Sequence, residues 1–169
     1  MNLVAVKEKI KTSIHFNNAD NNYSVKNRNI LKQWICQIAG SYNCSVAQID
    51  FIFCSDDYLL QINRQFLNHN TLTDIITFDY SFSQKMKSAS TIISGEIYIS
   101  IDRVKENAVK FGNSMVQELH RVIIHGILHL CGLKDKLKDD QHKMRKAEDK
   151  ALLTLEQLFI EYHQRVSSN

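Results

Sequence analysis

The chain has 169 residues, a length that fits one domain with a sizeable buried core. Hydrophobic residues make up 44% and charged residues 23%, which is typical of globular proteins and argues against a disordered chain. No apolar run approaches 18 residues, which excludes a transmembrane helix. The net charge is only +3, which excludes a strong overall electrostatic field that would attract nucleic acid.

The first half of the chain alternates predicted strands with predicted helices. Residues 13–18 alternate apolar and polar side chains and predict a short strand, and residues 24–40 keep apolar side chains at helical spacing. A strand over 48–55 follows. The next helix is expected to be capped by Ser55 or Asp56.

The second half predicts two strands and then three helices. The strands cover 74–82 and 95–101, with a polar loop between them. The first strand places four aromatic or aliphatic side chains on one face, namely Ile76, Phe78, Tyr80 and Phe82. The three helices are expected at 102–112, at 114–132 and at roughly 139–163. The last helix carries an apolar stripe of Met144, Ala147, Ala151, Leu155, Leu158 and Tyr162.

The predicted order β-α-β-α-β-β-α-α-α indicates the fold class. Four strands with helices packed on the sheet are typical of an α/β (α+β) protein, and we expect a single domain over 1–169. The four cysteines show no CxxC pairing and are expected to be reduced, and the start of the chain lacks a signal-peptide pattern. Both features favour a cytoplasmic protein.

The segment HGILHLCGLKD, residues 125–135, predicts a metal site. On a helix, His125 and His129 project from one face because they lie four residues apart. Gly132 can adopt the left-handed conformation that ends a helix, so that the chain turns back and brings Asp135 to the same ion. Three protein ligands with a fourth position open are typical of a catalytic zinc.

Alternatives remain open for several residues on this helix. Two histidines four apart also occur by chance, although the full spacing is much rarer. His120 lies about 140° round the helix from His125 and should not join the site. Glu118 and Arg121 share the histidine stripe, either as an ion pair one turn apart or as residues that orient an imidazole.

Gly126 stands where the H-E-x-x-H motif of metalloproteases carries its glutamate base, and this disfavours peptide hydrolysis. A bound metal ion could still lower the pKa of water, so a metal-bound water is the expected nucleophile.

Three segments together resemble the YbeY family of rRNA-maturation endoribonucleases. HGILHLCGLKD is similar to the family signature H-G-x-L-H-L-x-G-x-D-H, TDIITF (73–78) to T-D-V-L-S-F, and SGEIYIS (94–100) to the strand that follows. The resemblance covers about residues 13–160.

The resemblance implies a cytoplasmic, single-domain enzyme with a four-stranded mixed sheet and a zincin-like metal-binding helix. It implies one Zn²⁺ per chain, single-stranded RNA as substrate, ribosomal RNA and the small ribosomal subunit as partners, and roles at the 3′ end of the small-subunit RNA and in ribosome quality control. His125 and His129 match two family ligands directly. Asp135 occupies the position of the third ligand, a histidine in the family, and Lys134 replaces the preceding aspartate.

The chain departs from the family at an arginine that the resemblance implies for catalysis or phosphate contact. Leu67 occupies that position, His69 replaces a lysine and Leu72 a proline. Arg64, one helical turn earlier, is the candidate that could supply the missing guanidinium. The alternative is an exposed side chain without a role.

RNA would need a local basic patch, and the candidates are Arg64, Lys85, Lys87, Arg121, Lys134 and Lys136. An alternative function is a ribosome-assembly factor whose metal is structural and whose catalysis is weak or absent. Leu67 favours that alternative.

Overall fold

The computed structural model describes residues 11–81 and 91–168, and over them the order of strands and helices is the predicted one. The strands are β1 (Ser13–Asn18), β2 (Cys44–Cys54), β3 (Ile75–Asp79) and β4 (Thr91–Ser100). The helices are α1 (Arg28–Ser41), α2 (Asp56–Leu67), α3 (Ile101–Phe111), α4 (Met115–Leu130) and α5 (Lys138–Ser167).

The strands form a four-stranded sheet in the order β1-β2-β4-β3. β1, β2 and β4 run parallel, whereas β3 pairs antiparallel with β4, with Ile75 opposite Ile99 and Asp79 opposite Gly95. The expected α+β fold with a mixed sheet is confirmed. β3 is therefore an antiparallel edge strand of this sheet.

The hydrophobic core lies mainly on one face of the sheet, under α1, α4 and α5. Trp34 of α1 is fully buried, and its indole Nε1 donates a hydrogen bond of 2.8 Å to the carbonyl oxygen of Ala151 in α5. A smaller cluster comprises Cys54, Leu59 and Ile76, and it includes α2. Within the described ranges, no helix combines the length and the apolarity that crossing a membrane requires.

Several element boundaries differ from the prediction. Tyr80 is 55% exposed because β3 ends at Asp79, whose carboxylate accepts a hydrogen bond from the backbone N–H of Ser81. Tyr162, predicted on the buried stripe of α5, is 49% exposed because it lies near the end of the helix, beyond Leu158 and Phe159, which still pack on the core. The polar loop and Phe82 lie outside the described residues. The four cysteines are free thiols, as predicted.

Candidate metal centre

Helix α4 presents the two predicted histidine ligands side by side. The helix begins with a capping box, in which the Ser114 hydroxyl accepts from the backbone N–H of Gln117 and the Gln117 side chain accepts from that of Ser114. Two to three turns later, His125 and His129 point the same way. Their Nε2 atoms lie 2.9 Å apart, and their ring planes are nearly perpendicular at 89°.

A Schellman motif ends α4 and turns the chain back toward the histidines. Gly132 has φ +94°, a conformation that suits glycine, and its N–H donates to the carbonyl oxygen of His129 at 2.9 Å. The N–H of Leu133 donates to the carbonyl oxygen of Leu128 at 3.0 Å. The reversal brings Asp135 beside the two imidazoles, as the sequence predicted.

The three side chains fit a tetrahedral metal ion. Asp135 Oδ2 lies 3.5 Å from His125 Nε2 and 3.4 Å from His129 Nε2. A tetrahedral zinc ion with ligands at about 2.0–2.1 Å separates those ligand atoms from one another by about 3.3–3.4 Å. Two sides of the observed triangle, 3.4 and 3.5 Å, match that separation, and the third, 2.9 Å between the two Nε2 atoms, is about 0.4 Å shorter. His125, His129 and Asp135 can therefore hold one ion, and this is the only such group found among the described residues.

The hydrogen bonds of the far ring nitrogens prepare both imidazoles as ligands. His129 Nδ1 lies 2.9 Å from the carbonyl oxygen of Leu133, which can only accept, so Nδ1 carries the proton. His125 Nδ1 lies 2.8 Å from Oε1 of the Glu148 carboxylate and donates to it in the same way. Both Nε2 atoms are then free to bind a metal ion, which is the arrangement that metal-ligating histidines usually show.

Glu148 of α5 is the residue that orients His125. Its side chain is only 7% exposed, and it also accepts from Arg121 at 3.0 Å and from Arg145 at 3.4 Å. Burial by itself raises the pKa of the Glu148 carboxyl, but hydrogen bonds from His125 and Arg121 outweigh it and hold that pKa below the ordinary value. The glutamate is therefore an anion that fixes the ligand imidazole.

Reasoning from the sequence missed Glu148, although a signal for it existed. It lies four residues after Met144 and three before Ala151, on the buried stripe of α5. A charged residue on an apolar helical stripe needs a partner, because burial of an unpaired charge is costly. His125 and Arg121 are those partners.

The expected ion pair between Glu118 and Arg121 is wrong. Arg121 Nη1 donates instead to Glu148 at 3.0 Å and to Asp149 at 2.7 Å, while Glu118 accepts from the side-chain amide of Asn113. Arg121 thus acts on His125 only through Glu148. The prediction failed because the spacing of residues along α4 identifies only neighbours within that helix. It does not identify the carboxylates that α5 supplies.

An open cleft of about 610 Å³ leads to the three candidate ligands, and we call it the metal cleft. Its walls come from the end of α2, the segment that follows it, β3, α4 and the turn after α4. Besides the ligands, its lining includes Asn63, Leu67, His69, Thr71, Leu72, Thr73, Asp74, Ile75, Ile76, Thr77, Asp79, Leu130 and Lys136. Leu67, His69 and Leu72, three departures from the family pattern, therefore line the metal cleft.

The predicted RNA contacts differ in their position relative to the metal cleft. Lys136 lines the metal cleft, whereas Arg64 and Lys134 are exposed and do not line it. The Arg64 Nε donates to the side chain of Asn70 at 2.7 Å, in the segment that borders the cleft. Lys85 and Lys87 lie outside the described residues.

His120 is separate from the metal site, as predicted. Its ring lies between Trp34 and Phe159, with ring centroids 6.2 Å from each. Burial lowers the pKa of His120 to about 4, so the imidazole stays neutral and packs as an aromatic side chain.

Close packing of α4 on the sheet explains the glycine at position 126. A Cβ atom there would lie 3.0 Å from side-chain carbons of Ile75 and Ile97, closer than ordinary van der Waals contact. The glutamate of the H-E-x-x-H motif would therefore point into the sheet at this position. Any carboxylate that serves this cleft must come from another element.

We expect Gly126→Val to lower the free energy of unfolding by about 2 kcal/mol, because extra methyl groups in a close-packed core force neighbours to shift. Gly40→Ala is the matched control, since Gly40 lies in α1 with no atom within 4 Å of an added Cβ. That change should be stabilising by about 0.5 kcal/mol through helix propensity. Urea unfolding monitored by circular dichroism measures both, and a Gly126→Val protein as stable as wild type would contradict the packing explanation.

An α+β fold with two imidazoles on one helix, a carboxylate after a Schellman turn and an open cleft defines a protein with a three-residue cluster able to bind a metal ion. Residues 13–156 match the family model described as Endoribonuclease YbeY. The chain belongs to this family, which confirms the resemblance seen in its motifs.

Relatives with the name Endoribonuclease YbeY cover most of the chain. The protein from Porphyromonas gingivalis is 46% identical over 128 residues, 76% of this chain and 80% of the relative. That from Cytophaga hutchinsonii is 45% identical over 140 residues, 83% of this chain and 94% of the relative. The solution structure of a Thermotoga maritima protein, 25% identical, superposes with a TM-score of 0.54 over 92% of this chain and 95% of that one.

Proposed function

We propose that this protein is a zinc-dependent endoribonuclease that cuts single-stranded RNA in the cytoplasm. Its proposed substrate is the precursor of the small-subunit ribosomal RNA, which it would process at the 3′ end as part of ribosome maturation and quality control. The observation that carries the proposal is the triangle of His125, His129 and Asp135 at the base of an open cleft. Membership of a family whose relatives are named endoribonucleases supports it.

The donor set favours zinc. Two imidazole nitrogens and one carboxylate oxygen are ligands that Zn²⁺ accepts in catalytic sites, where three protein ligands leave a fourth position for solvent or substrate. When bound, such an ion stabilises negative charge on a phosphoryl oxygen and lowers the pKa of water toward neutrality. Ni²⁺ and Cu²⁺ can compete with Zn²⁺ at nitrogen and oxygen sites. The metal ion found after purification on a nickel column therefore does not identify the metal that the protein binds in the cell.

The protein's own residues would orient the ligands and hold the RNA. Glu148 and the Leu133 carbonyl keep the Nε2 atoms of the two histidines free, which preorganises the site before substrate arrives. Lys136 lines the metal cleft and is the proposed phosphate contact there. Arg121 and Lys134 remain predictions, and Arg121 is already bound to two carboxylates.

The experiment is to incubate zinc-loaded protein with a small-subunit precursor RNA and to map the new ends. We expect cleavage in single-stranded regions, loss of cleavage with EDTA and recovery when zinc is restored. RNA binding should weaken steeply between low and moderate salt, because phosphate contacts release counterions. A zinc-loaded wild-type protein that leaves the RNA intact under all these conditions would contradict the proposal.

The second candidate function is a ribosome-assembly factor with a structural metal and little catalysis. The specific observation behind it is Leu67, which lines the metal cleft where the family pattern has an arginine. Binding to small-subunit RNA with no cleavage would favour this candidate.

Arg64 remains the proposed replacement for that missing guanidinium. We expect Arg64→Ala to lower RNA cleavage by about 10²-fold, the scale for losing one transition-state donor, with zinc content and folding unchanged. Arg165→Ala, which removes an exposed arginine near the end of α5, is the control. If Arg64→Ala cleaves RNA as fast as wild type, Arg64 does not replace the missing guanidinium. A gain of activity in Leu67→Arg would then show that leucine at position 67 lowers the cleavage rate.

A further inference from the structure

A second pocket of about 320 Å³ adjoins the metal cleft at the ligands. Asp74, Ile75, His125 and Asp135 line both, so the two pockets lie on either side of candidate metal ligands. Its volume is at the lower end of the range of small-molecule sites, about 300–1,000 Å³. A strand of RNA with its scissile phosphate at the metal ligands has room for a neighbouring nucleotide in this pocket.

One wall of the second pocket carries an aromatic ring that the fold does not use. Phe111, at the end of α3, lines the pocket and is 54% exposed. It belongs to neither hydrophobic cluster of the described residues. Its ring contacts the Lys110 ammonium group, 5.4 Å from the ring centre. An exposed aromatic ring beside a nuclease site is a surface on which a nucleic-acid base can stack.

The lining of the second pocket also includes a guanidinium group with free donors. Arg145 of α5 lines the pocket, and its side chain is 53% exposed. Its one ion pair in the described part of the chain is a 3.4 Å contact with Glu148, so most of its five N–H donors stay available. Arg121, the other arginine of the pocket, is 16% exposed and bound to two carboxylates.

Of the pocket's four carboxylates, Glu148 is paired with arginine and Asp135 belongs to the metal-ligand set, which lowers the repulsion that these two exert on a phosphate. Glu148 accepts from His125 and Arg121, and Glu118 accepts from Asn113. Asp74 accepts from the side-chain amide of Asn107 at 3.2 Å, and Asp135 is one of the three metal ligands. These contacts leave Arg145 as the pocket's most accessible charged group.

We propose that the second pocket is a nucleotide subsite, in which Phe111 stacks on the base beside the scissile phosphate and Arg145 binds the adjoining phosphate. The inference rests on the proposed ribonuclease function and adds how the site selects its substrate. A base can lie on Phe111 only when it is unstacked from its neighbours, so the subsite favours single-stranded RNA over a duplex. Stacking tolerates any base, so little sequence preference should arise here.

The test measures binding of a fluorescent eight-nucleotide single-stranded RNA to the zinc-loaded protein by anisotropy, with phosphorothioate linkages that resist cleavage. Phe111→Ala should weaken binding by about 10-fold, the effect of losing one stacked base. Arg145→Gln should weaken RNA binding by a similar factor. It should also reduce by about one the slope of the logarithm of the binding constant against the logarithm of the salt concentration. Matched controls are Val109→Ala, 84% exposed on the same helix, and Arg165→Gln on α5, whose side chain is 76% exposed. Both should bind as wild type.

Abasic RNAs locate the stacked base. One abasic position next to the cut should weaken wild-type binding by about 10-fold and have no effect on Phe111→Ala. Phe111→Leu keeps apolar volume without the flat ring and should behave like Phe111→Ala, with circular dichroism as the check on folding. Equal abasic losses in wild type and Phe111→Ala, or wild-type binding by both Phe111 variants, would overturn the subsite. If wild type fails to cut RNA while the stacking result holds, the ribonuclease function fails and the subsite stands.

Discussion

Replacing His129 with alanine should remove the metal ion and RNA cleavage together. His129 supplies one of three donor atoms, all within 4.8 Å of one another, and two remaining ligands hold an ion poorly. We expect zinc to fall from one ion per chain to a trace after dialysis. Cleavage should fall by about 10³-fold or more, since a catalytic metal ion contributes several kcal/mol of charge stabilisation. Elemental analysis and an RNA cleavage assay on the same preparation measure both.

The control for this experiment is His142→Ala, which removes an exposed histidine from α5. It should keep both zinc and activity. Equal zinc in wild type and His129→Ala would show that the ion binds elsewhere. If a zinc-free His129→Ala protein still cleaved RNA, the metal ion would not be required for the reaction.

Replacing Glu148 with alanine should weaken metal binding and destabilise the fold. The carboxylate fixes His125 through a 2.8 Å hydrogen bond, and loss of such a partner usually lowers metal affinity about 10–100-fold. Arg121 would lose one of its two carboxylates, and breaking a buried pair costs about 3–5 kcal/mol. Because Asp149 still binds Arg121, we expect a smaller loss, about 2–3 kcal/mol.

Zinc titration against a competing chelator gives the affinity, and urea unfolding gives the stability. Glu156→Ala changes an exposed glutamate of the same helix and should alter neither. Glu148→Gln keeps an oxygen acceptor for His125 and should recover part of the metal affinity but not the charge pairing with Arg121. Wild-type zinc affinity in Glu148→Ala would mean that His125 does not need this orientation.

The grouping of the three candidate ligands could be predicted from the sequence because their geometry is local. His125, His129 and Asp135 lie within eleven residues, and one helix and one glycine turn fix their relation. The order of elements followed from apolar periodicity for the same reason. Each prediction needed only the regular geometry of a helix or a strand.

The rest of the site depends on contacts between elements. Glu148 lies 23 residues from His125 on another helix, so no spacing rule links them. The same docking of α5 on α4 takes Arg121 away from Glu118. In the sequence, Gly126 indicates only that a catalytic glutamate is missing. The structure shows that close packing against Ile97, on a distant strand, requires a glycine there.

The most direct test of the metal centre is X-ray absorption at the zinc edge on protein reconstituted with one equivalent of zinc. The geometry of His125, His129 and Asp135 predicts two imidazole nitrogens and low-atomic-number oxygen ligands at about 2.0–2.1 Å, with no sulfur ligand at about 2.3 Å. The imidazole contribution should be lost in a His125→Ala, His129→Ala double variant. A sulfur ligand, or a spectrum unchanged in that variant, would contradict the assignment of these residues as the metal site.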